Sequence, residues 1–343
     1  MASRRRDWRL PALVAVSAPV GALLAIALFE LFMHWRLDLG HRFHDLNTRF
    51  DSELGWAAIE GRSLDTPVGR LTSNRHGFRS RELDASAAHV LALGDSVAWG
   101  WGVADADSLP WRLDQRWAGA GVQVSNLAVA GYGLDQYLLS FERHAALFPE
   151  LRAVLAVITT ADDLKSSATN TAFGKRKPFF ELRAGALVPA AEPIRRYGLR
   201  NLMSRSVLLM RLDGSALGPA LRALLDPLAG DRRHARAEAE AIGRALFGAL
   251  AHGARARGAH FAALLVPART DFPEPGADHL WFAAECARAA WDCLDLRGVL
   301  AAAPDPRALY LDDVHLSAAG LARLAEAAAQ HLEPALGLAR PPD

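Results

Sequence analysis

The chain has 343 residues, 51% hydrophobic and 22% charged, a composition that excludes disorder as its main state and, at about 150 residues per domain, allows two domains or one large α/β domain with insertions. Lys+Arg 39 against Asp+Glu 38 leaves a net charge of +1, so no global field favours nucleic acid or a cationic partner. Two cysteines, Cys286 and Cys293, are too few for a disulfide scaffold or a four-ligand zinc site.

Residues 10–29 run for twenty positions without a charge, about the length a helix needs to cross a bilayer core. Arg4, Arg5, Arg6 and Arg9 precede the run, and a cationic flank tends to stay cytoplasmic. The pattern predicts a cytoplasmic tail over 1–9 and a single transmembrane helix over 10–33 in contact with the lipid bilayer, which leaves the rest of the chain outside the cytoplasm. A cleavable signal peptide is disfavoured, because its apolar region spans about 7–15 residues and Phe29-Glu30-Leu31-Phe32 offers no small-x-small cleavage site.

Residues 34–88 are polar and mixed, punctuated by Gly55, Gly61, Pro67, Gly69 and Gly77, and read as a stalk leading into a cap or small hairpin. From 89 to 337 short apolar runs alternate with amphipathic stretches. Strands are predicted over 90–93, 122–129, 153–158, His260–Val266 and 293–296. Helices are predicted over Leu109–Trp117, 134–148, 235–257, 277–290 and 317–332, the last with Ser317 as N-cap and Pro334 just past its end. An insertion over 165–233 interrupts the alternation and contains a small hairpin with Gly185 in its turn, and 338–343 is a tail. Strand and helix in alternation predict a parallel sheet covered on both faces, with reactive residues at the carboxyl ends of the strands.

Those ends are informative. The first apolar run closes as Gly94-Asp95-Ser96, a serine leaving a buried strand toward a helix N-terminus, where a nucleophile is held exposed beside backbone N–H groups. Position 98 is Ala, so the Gly-x-Ser-x-Gly elbow of α/β-hydrolases is absent. The second run closes at Gly131-Tyr132-Gly133, the third at Thr159-Thr160-Ala161-Asp162-Asp163. Near the C-terminus, Asp312-Asp313-Val314-His315-Leu316-Ser317 sets a carboxylate three residues before a histidine, which supplies a base and a group to orient it.

In these blocks and their order the chain resembles the SGNH/GDSL hydrolase family over roughly 90–336. Leu54-Gly55-Trp56, the stretch from Asn74 to Arg79, and Lys177-Pro178-Phe179-Phe180 resemble an anchored bacterial branch of it. The resemblance implies a flavodoxin-like three-layer α/β/α sandwich with a central parallel sheet, preceded by the transmembrane helix. It also implies Ser96 as nucleophile and oxyanion donor, Gly131 as a second donor, His315 as general base and Asp312 as its orienter. The implied activity is that of a serine esterase on acyl esters, with O-acetyl groups of envelope or exported glycans as a substrate suggested by location in the bacterial inner membrane. An O-acyltransferase of the same fold and a weakened glycan-binding module are the alternatives. In the third block Thr160 stands where the family has Gly and Asp162 where it has Asn, which exchanges an amide donor for a carboxylate in the oxyanion hole.

Trp99 and Trp101 suit substrate stacking or core packing equally. His41 and His44 lack supporting ligands, so no metal is expected, and no phosphate-binding loop or complete dinucleotide fingerprint occurs, so no cofactor is expected. Cys286 and Cys293, seven residues apart at a helix end and the next strand start, suit either a disulfide or two free core thiols.

Overall fold

The structure, a computed structural model, describes residues 9–36, 47–195, 206–213 and 215–338. Arg4, Arg5 and Arg6 of the expected tail, His41 and His44, residues 196–205 of the insertion and residues 339–343 lie outside those described.

In chain order, helix α1 (Arg9–Arg36) precedes strands β1 (Thr48–Asp51), β2 (Gly55–Ala58), β3 (Ser63–Thr66) and β4 (Gly69–Thr72). Next come β5 (Ala88–Gly94), α2 (Ser96–Trp99), α3 (Leu109–Trp117), β6 (Val122–Asn126) and α4 (Leu134–His144). They are followed by β7 (Leu151–Thr159), α5 (Asp163–Ser167), β8 (Thr171–Ala172), β9 (Lys175–Arg176), β10 (Phe180–Arg183) and β11 (Ala186–Pro189). The chain closes with α6 (Val207–Asp213), α7 (Gly218–Ala229), α8 (Arg236–Ala256), β12 (His260–Val266), α9 (Ala277–Ala289), β13 (Asp292–Asp295), α10 (Arg297–Ala301) and α11 (Ala318–Leu336).

These elements form two compact units. One holds the described residues of Met1–Leu46 and Tyr197–Gly230. Within it, Glu30, the acidic residue of α1, accepts hydrogen bonds from Ser206 Oγ at 2.6 Å, Val207 N at 2.8 Å and Leu208 N at 3.0 Å, so its charge is spent on orphan donors at the start of α6. The expected transmembrane helix over 10–33 is helical, but among the described residues no helix is long and apolar enough to cross a membrane.

The other unit, Asn47–Arg196 with Asp231–Asp343, is built on a five-stranded sheet of order β6-β5-β7-β12-β13, parallel throughout. In sequence order this is 2-1-3-4-5, the flavodoxin-like arrangement, and its switch point lies between β5 and β7. The central strands are buried on both faces, which is why they read as unbroken apolar runs. Leu91, Leu93, Val154, Ala156, Ile158, Phe261, Ala263 and Leu265 meet Leu134, Tyr137 and Phe141 of α4 and Ile242, Leu246 and Leu250 of α8 in one core cluster. Helices α3 and α11 pack together, with α3 on β6 and α11 on β12. The hairpins β1–β2, β3–β4, β8–β9 and β10–β11 are antiparallel pairs outside this sheet.

Several boundaries differ from expectation for local reasons. Strand β6 stops at Asn126 instead of 129 because the Asn126 carboxamide accepts the Ala128 N–H at 3.1 Å and turns the chain. The helix expected over 134–148 ends at His144 and continues as a 3₁₀ turn, Ala145–Leu147. Pro334 lies inside α11, which runs on to Leu336 before Gly337 caps it in the left-handed conformation. Cys286 and Cys293 are joined in a disulfide, their Cα atoms 6.1 Å apart.

Candidate active site

The carboxyl ends of β5 and β7 flank the switch point, where an open parallel sheet leaves a crevice. The turn after β5 is tight: a Cβ on Gly94 would sit 2.3 Å from Ala98 Cβ and 3.2 Å from the Val157 carbonyl oxygen, so α2 closes directly onto the strand end. Asp95 caps α2, its Oδ1 accepting the Val97 N–H at 2.9 Å, and the same oxygen takes the Thr159 hydroxyl at 2.8 Å. Asp95 is fully enclosed, and burial pushes its carboxyl up to about 6 against the pull of those two hydrogen bonds. Its neighbour Ser96 is only partly buried, at the first position of the helix.

Ser96 is joined to the far end of the chain. His315 Nε2 lies 2.8 Å from Ser96 Oγ, and His315 Nδ1 lies 2.7 Å from Asp312 Oδ2. The second oxygen of Asp312, Oδ1, accepts the backbone N–H groups of Val314 at 2.8 Å and His315 at 2.7 Å, so the Asp-x-x-His spacing folds into a turn that aims the imidazole. Partial burial alone would raise the Asp312 carboxyl; those two N–H groups and the imidazole outweigh it and hold the group below its ordinary value. An ionised Asp312 keeps the proton on Nδ1 and leaves the Nε2 lone pair facing the serine hydroxyl. Trp101 lies over the same imidazole, ring centroids 5.8 Å apart and tilted 32°.

Gly131 has φ +81°, a backbone region that disfavours any side chain, and a Cβ there would come within 2.2 Å of the Phe173 ring. Phe173, at the tip of the β8–β9 hairpin, thus rests on Gly131. Among the described residues the N–H groups of Ser96 and Gly131 enter no backbone hydrogen bond outside regular elements. The Val129 N–H donates to the Gly94 carbonyl at 3.3 Å and ties the second block to the first.

The third block is organised by residues the sequence left unassigned. Asp163, at the head of α5, is buried and accepts the Thr159 N–H at 2.9 Å and the Tyr137 hydroxyl at 2.8 Å. Burial, with Asp95 beside it, drives the Asp163 carboxyl well above the ordinary range. Thr160 is sealed, its hydroxyl between the Val266 carbonyl and His279 Nδ1, both at 3.1 Å. Asp162 stands at the N-cap position of α5, but its side chain does not cap the helix. Its carboxyl is raised by burial, a shift opposed by Lys165 and His315 and reinforced by Asp278 and Asp312. The sheet therefore brings Ser96, His315 and Asp312 into one hydrogen-bonded run, with Asp162 in electrostatic contact with the last two. Thr159 and Tyr137 carry no signal in the sequence that could have singled them out. Among the described residues no group of three or more His, Cys, Asp or Glu could hold a metal ion.

No family model and no curated protein matches the chain. Solved structures do. TesA is 17% identical, over 72% of this chain and 99% of that one, at a TM-score of 0.42. The psychrotrophic esterase EstA from Pseudoalteromonas sp., in a structure inhibited by monoethylphosphonate, is 11% identical over 73% of this chain and 99% of its own, at 0.41. A lipolytic protein of the G-D-S-L family from Veillonella parvula is 12% identical over 71% and 96%, at 0.39. Of these, one is named an esterase and one a lipolytic protein of the G-D-S-L family. At TM-scores near 0.4 the chemistry rests on this chain's own site.

Proposed function

We propose that this chain is a serine hydrolase of the SGNH/GDSL type that acts on acyl esters, with Ser96 as nucleophile, His315 as general base and Asp312 as its orienting carboxylate. The reading is carried by the continuous hydrogen-bonded run from Asp312 through His315 to Ser96, at 2.7 and 2.8 Å, ending on a residue that is only partly buried. In this scheme Nε2 takes the serine proton as Oγ attacks the ester carbonyl, and the Ser96 and Gly131 N–H groups receive the developing oxyanion. The tetrahedral intermediate collapses, the C–O bond to the alcohol breaks, and the imidazolium returns its proton to the departing alcohol. Water then releases the acyl group; a sugar hydroxyl in its place gives acyl transfer, the O-acyltransferase form of the same chemistry. Turnover of a short acyl ester by the wild-type chain and none by Ser96→Ala is the expected result, and equal turnover by both contradicts the serine mechanism.

Asp162 favours a second reading. An ionised carboxylate at a position that calls for a donor weakens catalysis, and a site so weakened would bind an acylated glycan without efficiently cleaving it.

The catalytic unit is proposed to lie outside the cytoplasm, in a bacterial periplasm. Supporting this are the charge-free run over 10–29, the arginines ahead of it, and the Cys286–Cys293 disulfide, which fits an oxidising compartment. O-acetyl groups of envelope or exported glycans follow as substrates from that location. A C-terminal alkaline phosphatase fusion should be active; an inactive one beside a glowing C-terminal fluorescent protein reverses the topology.

A further inference from the structure

The stretch from Asn74 to Arg79 has no part in the chemistry above, yet it ends in a guanidinium spent wholly on the nucleophile's surroundings. The Arg79 side chain is 1% exposed. Its Nε donates to Asp105 Oδ1 at 2.7 Å, Nη1 to the carbonyls of Trp99 at 2.8 Å and Gly100 at 2.7 Å, and Nη2 to the carbonyl of Val103 at 2.8 Å. Its central carbon lies 4.4 Å over the Trp99 ring. Asp105 is in turn fixed by the Thr72 hydroxyl at 2.6 Å. The segment that presents Arg79 is itself stiffened by Asn74, whose Oδ1 accepts the His76 and Phe78 N–H groups at 2.9 and 3.1 Å and whose Nδ2 donates to the Arg81 carbonyl at 3.0 Å.

The carbonyls around α2 show what this accomplishes. Ser96 O accepts the N–H groups of Gly100 at 3.0 Å and Trp101 at 2.9 Å, and Ala98 O accepts Asn126 Nδ2 at 3.1 Å. The carbonyls of Trp99 and Gly100 are the ones Arg79 takes. A four-residue helix has too few internal bonds to hold its own end, so partners outside it must. One residue beyond Gly100, Trp101 lies over His315. A single buried guanidinium thus holds both the end of the helix that Ser96 opens and the loop that sets Trp101 on the base.

We propose that Arg79 is a positioning residue for acyl transfer: it sets the Ser96 helix and Trp101 relative to His315 and touches no substrate. The proposal rests on the serine-esterase reading. Lysine cannot substitute, because an ammonium is a point donor and cannot span Asp105, Trp99, Gly100 and Val103 as the planar fork does.

The test uses the full-length chain with Arg79→Lys and, as a gentler perturbation, Asp105→Asn. Sites are titrated with a fluorophosphonate, so that kcat is expressed per reactive serine and a loss of folded protein drops out. For Arg79→Lys, kcat per titrated site should fall about 10- to 100-fold with KM within about twofold, since a small misplacement of reacting groups slows chemistry more than binding. Asp105→Asn should show the same split with a smaller loss. Arg79→Lys with an unchanged kcat per titrated site overturns the proposal. So does the absence of titratable, folded protein in both variants, which would make the role one of folding alone. A wild-type chain that takes no label fails the esterase reading instead, and the two failures are thereby distinct.

Discussion

Ser96 Oγ and His315 Nε2 stand 2.8 Å apart although 219 positions separate the two residues in the chain. The fold produces this contact by ending β5 at the switch point of the sheet and running the chain back, just before α11, through a turn that Asp312 fixes. If the contact is the working pair, His315→Ala should abolish hydrolysis of a short acyl ester and leave the circular dichroism spectrum and the melting temperature close to wild type. Unchanged turnover would remove His315 as the base.

Asp312→Asn tests the orienting role separately. The amide can still accept from Val314 and His315 N–H, but it cannot stabilise an imidazolium as a carboxylate does. We expect kcat/KM to fall on the order of 10³–10⁴-fold, as loss of the triad carboxylate does in serine proteases, with the fold intact. A loss below about tenfold in steady-state kinetics would show that the His315 tautomer is set by something else.

Asp162→Asn should raise activity. The wild-type carboxyl, raised by burial, keeps its proton to higher pH than an ordinary aspartate; once it ionises it repels the oxyanion. The ratio of variant to wild-type kcat/KM should therefore grow as pH rises from about 5 to about 9, by up to about tenfold per 1.36 kcal/mol gained. A loss at every pH would show that Asp162 is a working part of the site.

Gly131→Ala should impair both folding and turnover. The alanine must adopt φ +81°, at a cost of about 1–2 kcal/mol, and its Cβ collides with Phe173. Phe173→Ala in the same chain relieves the collision but not the backbone cost, so urea denaturation should show partial recovery of stability. Full recovery would mean that the ring alone dictates the glycine.

Asp95 carries a pH signature in stability. Its folded-state value of about 6 exceeds the ordinary 3.8, so the folded chain holds that proton more tightly than the unfolded one. Stability from this group is complete below about pH 4 and is lost as pH rises through 6, by about 3 kcal/mol at most. Asp95→Asn keeps a cap acceptor without the charge, so the wild-type decline relative to the variant should appear between about pH 4 and 7 in urea titrations. Parallel curves would contradict it.

Much of this was legible because buried parallel strands must be apolar on both faces. His260–Val266 has the bounds its apolar run predicts, and the reactive blocks lie where the runs end. What was not legible depends on side chains that reach across the fold. Nothing near Thr159 says that its hydroxyl meets Asp95 and its N–H meets Asp163, and nothing near Arg79 says that it ends on α2. The bend at Asn126 leaves no trace in the apolar pattern, because the run continues past the point where one carboxamide turns the backbone. Pro334, expected just past the end of the last helix, lies inside α11, which runs two residues beyond it to the Gly337 cap.

The most direct measurement is reaction of the full-length chain with a fluorophosphonate, followed by mass spectrometry of the labelled peptide. An activated serine predicts one phosphonyl group on Ser96, absent from Ser96→Ala and slowed at least about 100-fold in His315→Ala, where the base is gone. No label on a folded chain, or a label on any other residue, would contradict the assignment of Ser96 as a nucleophile.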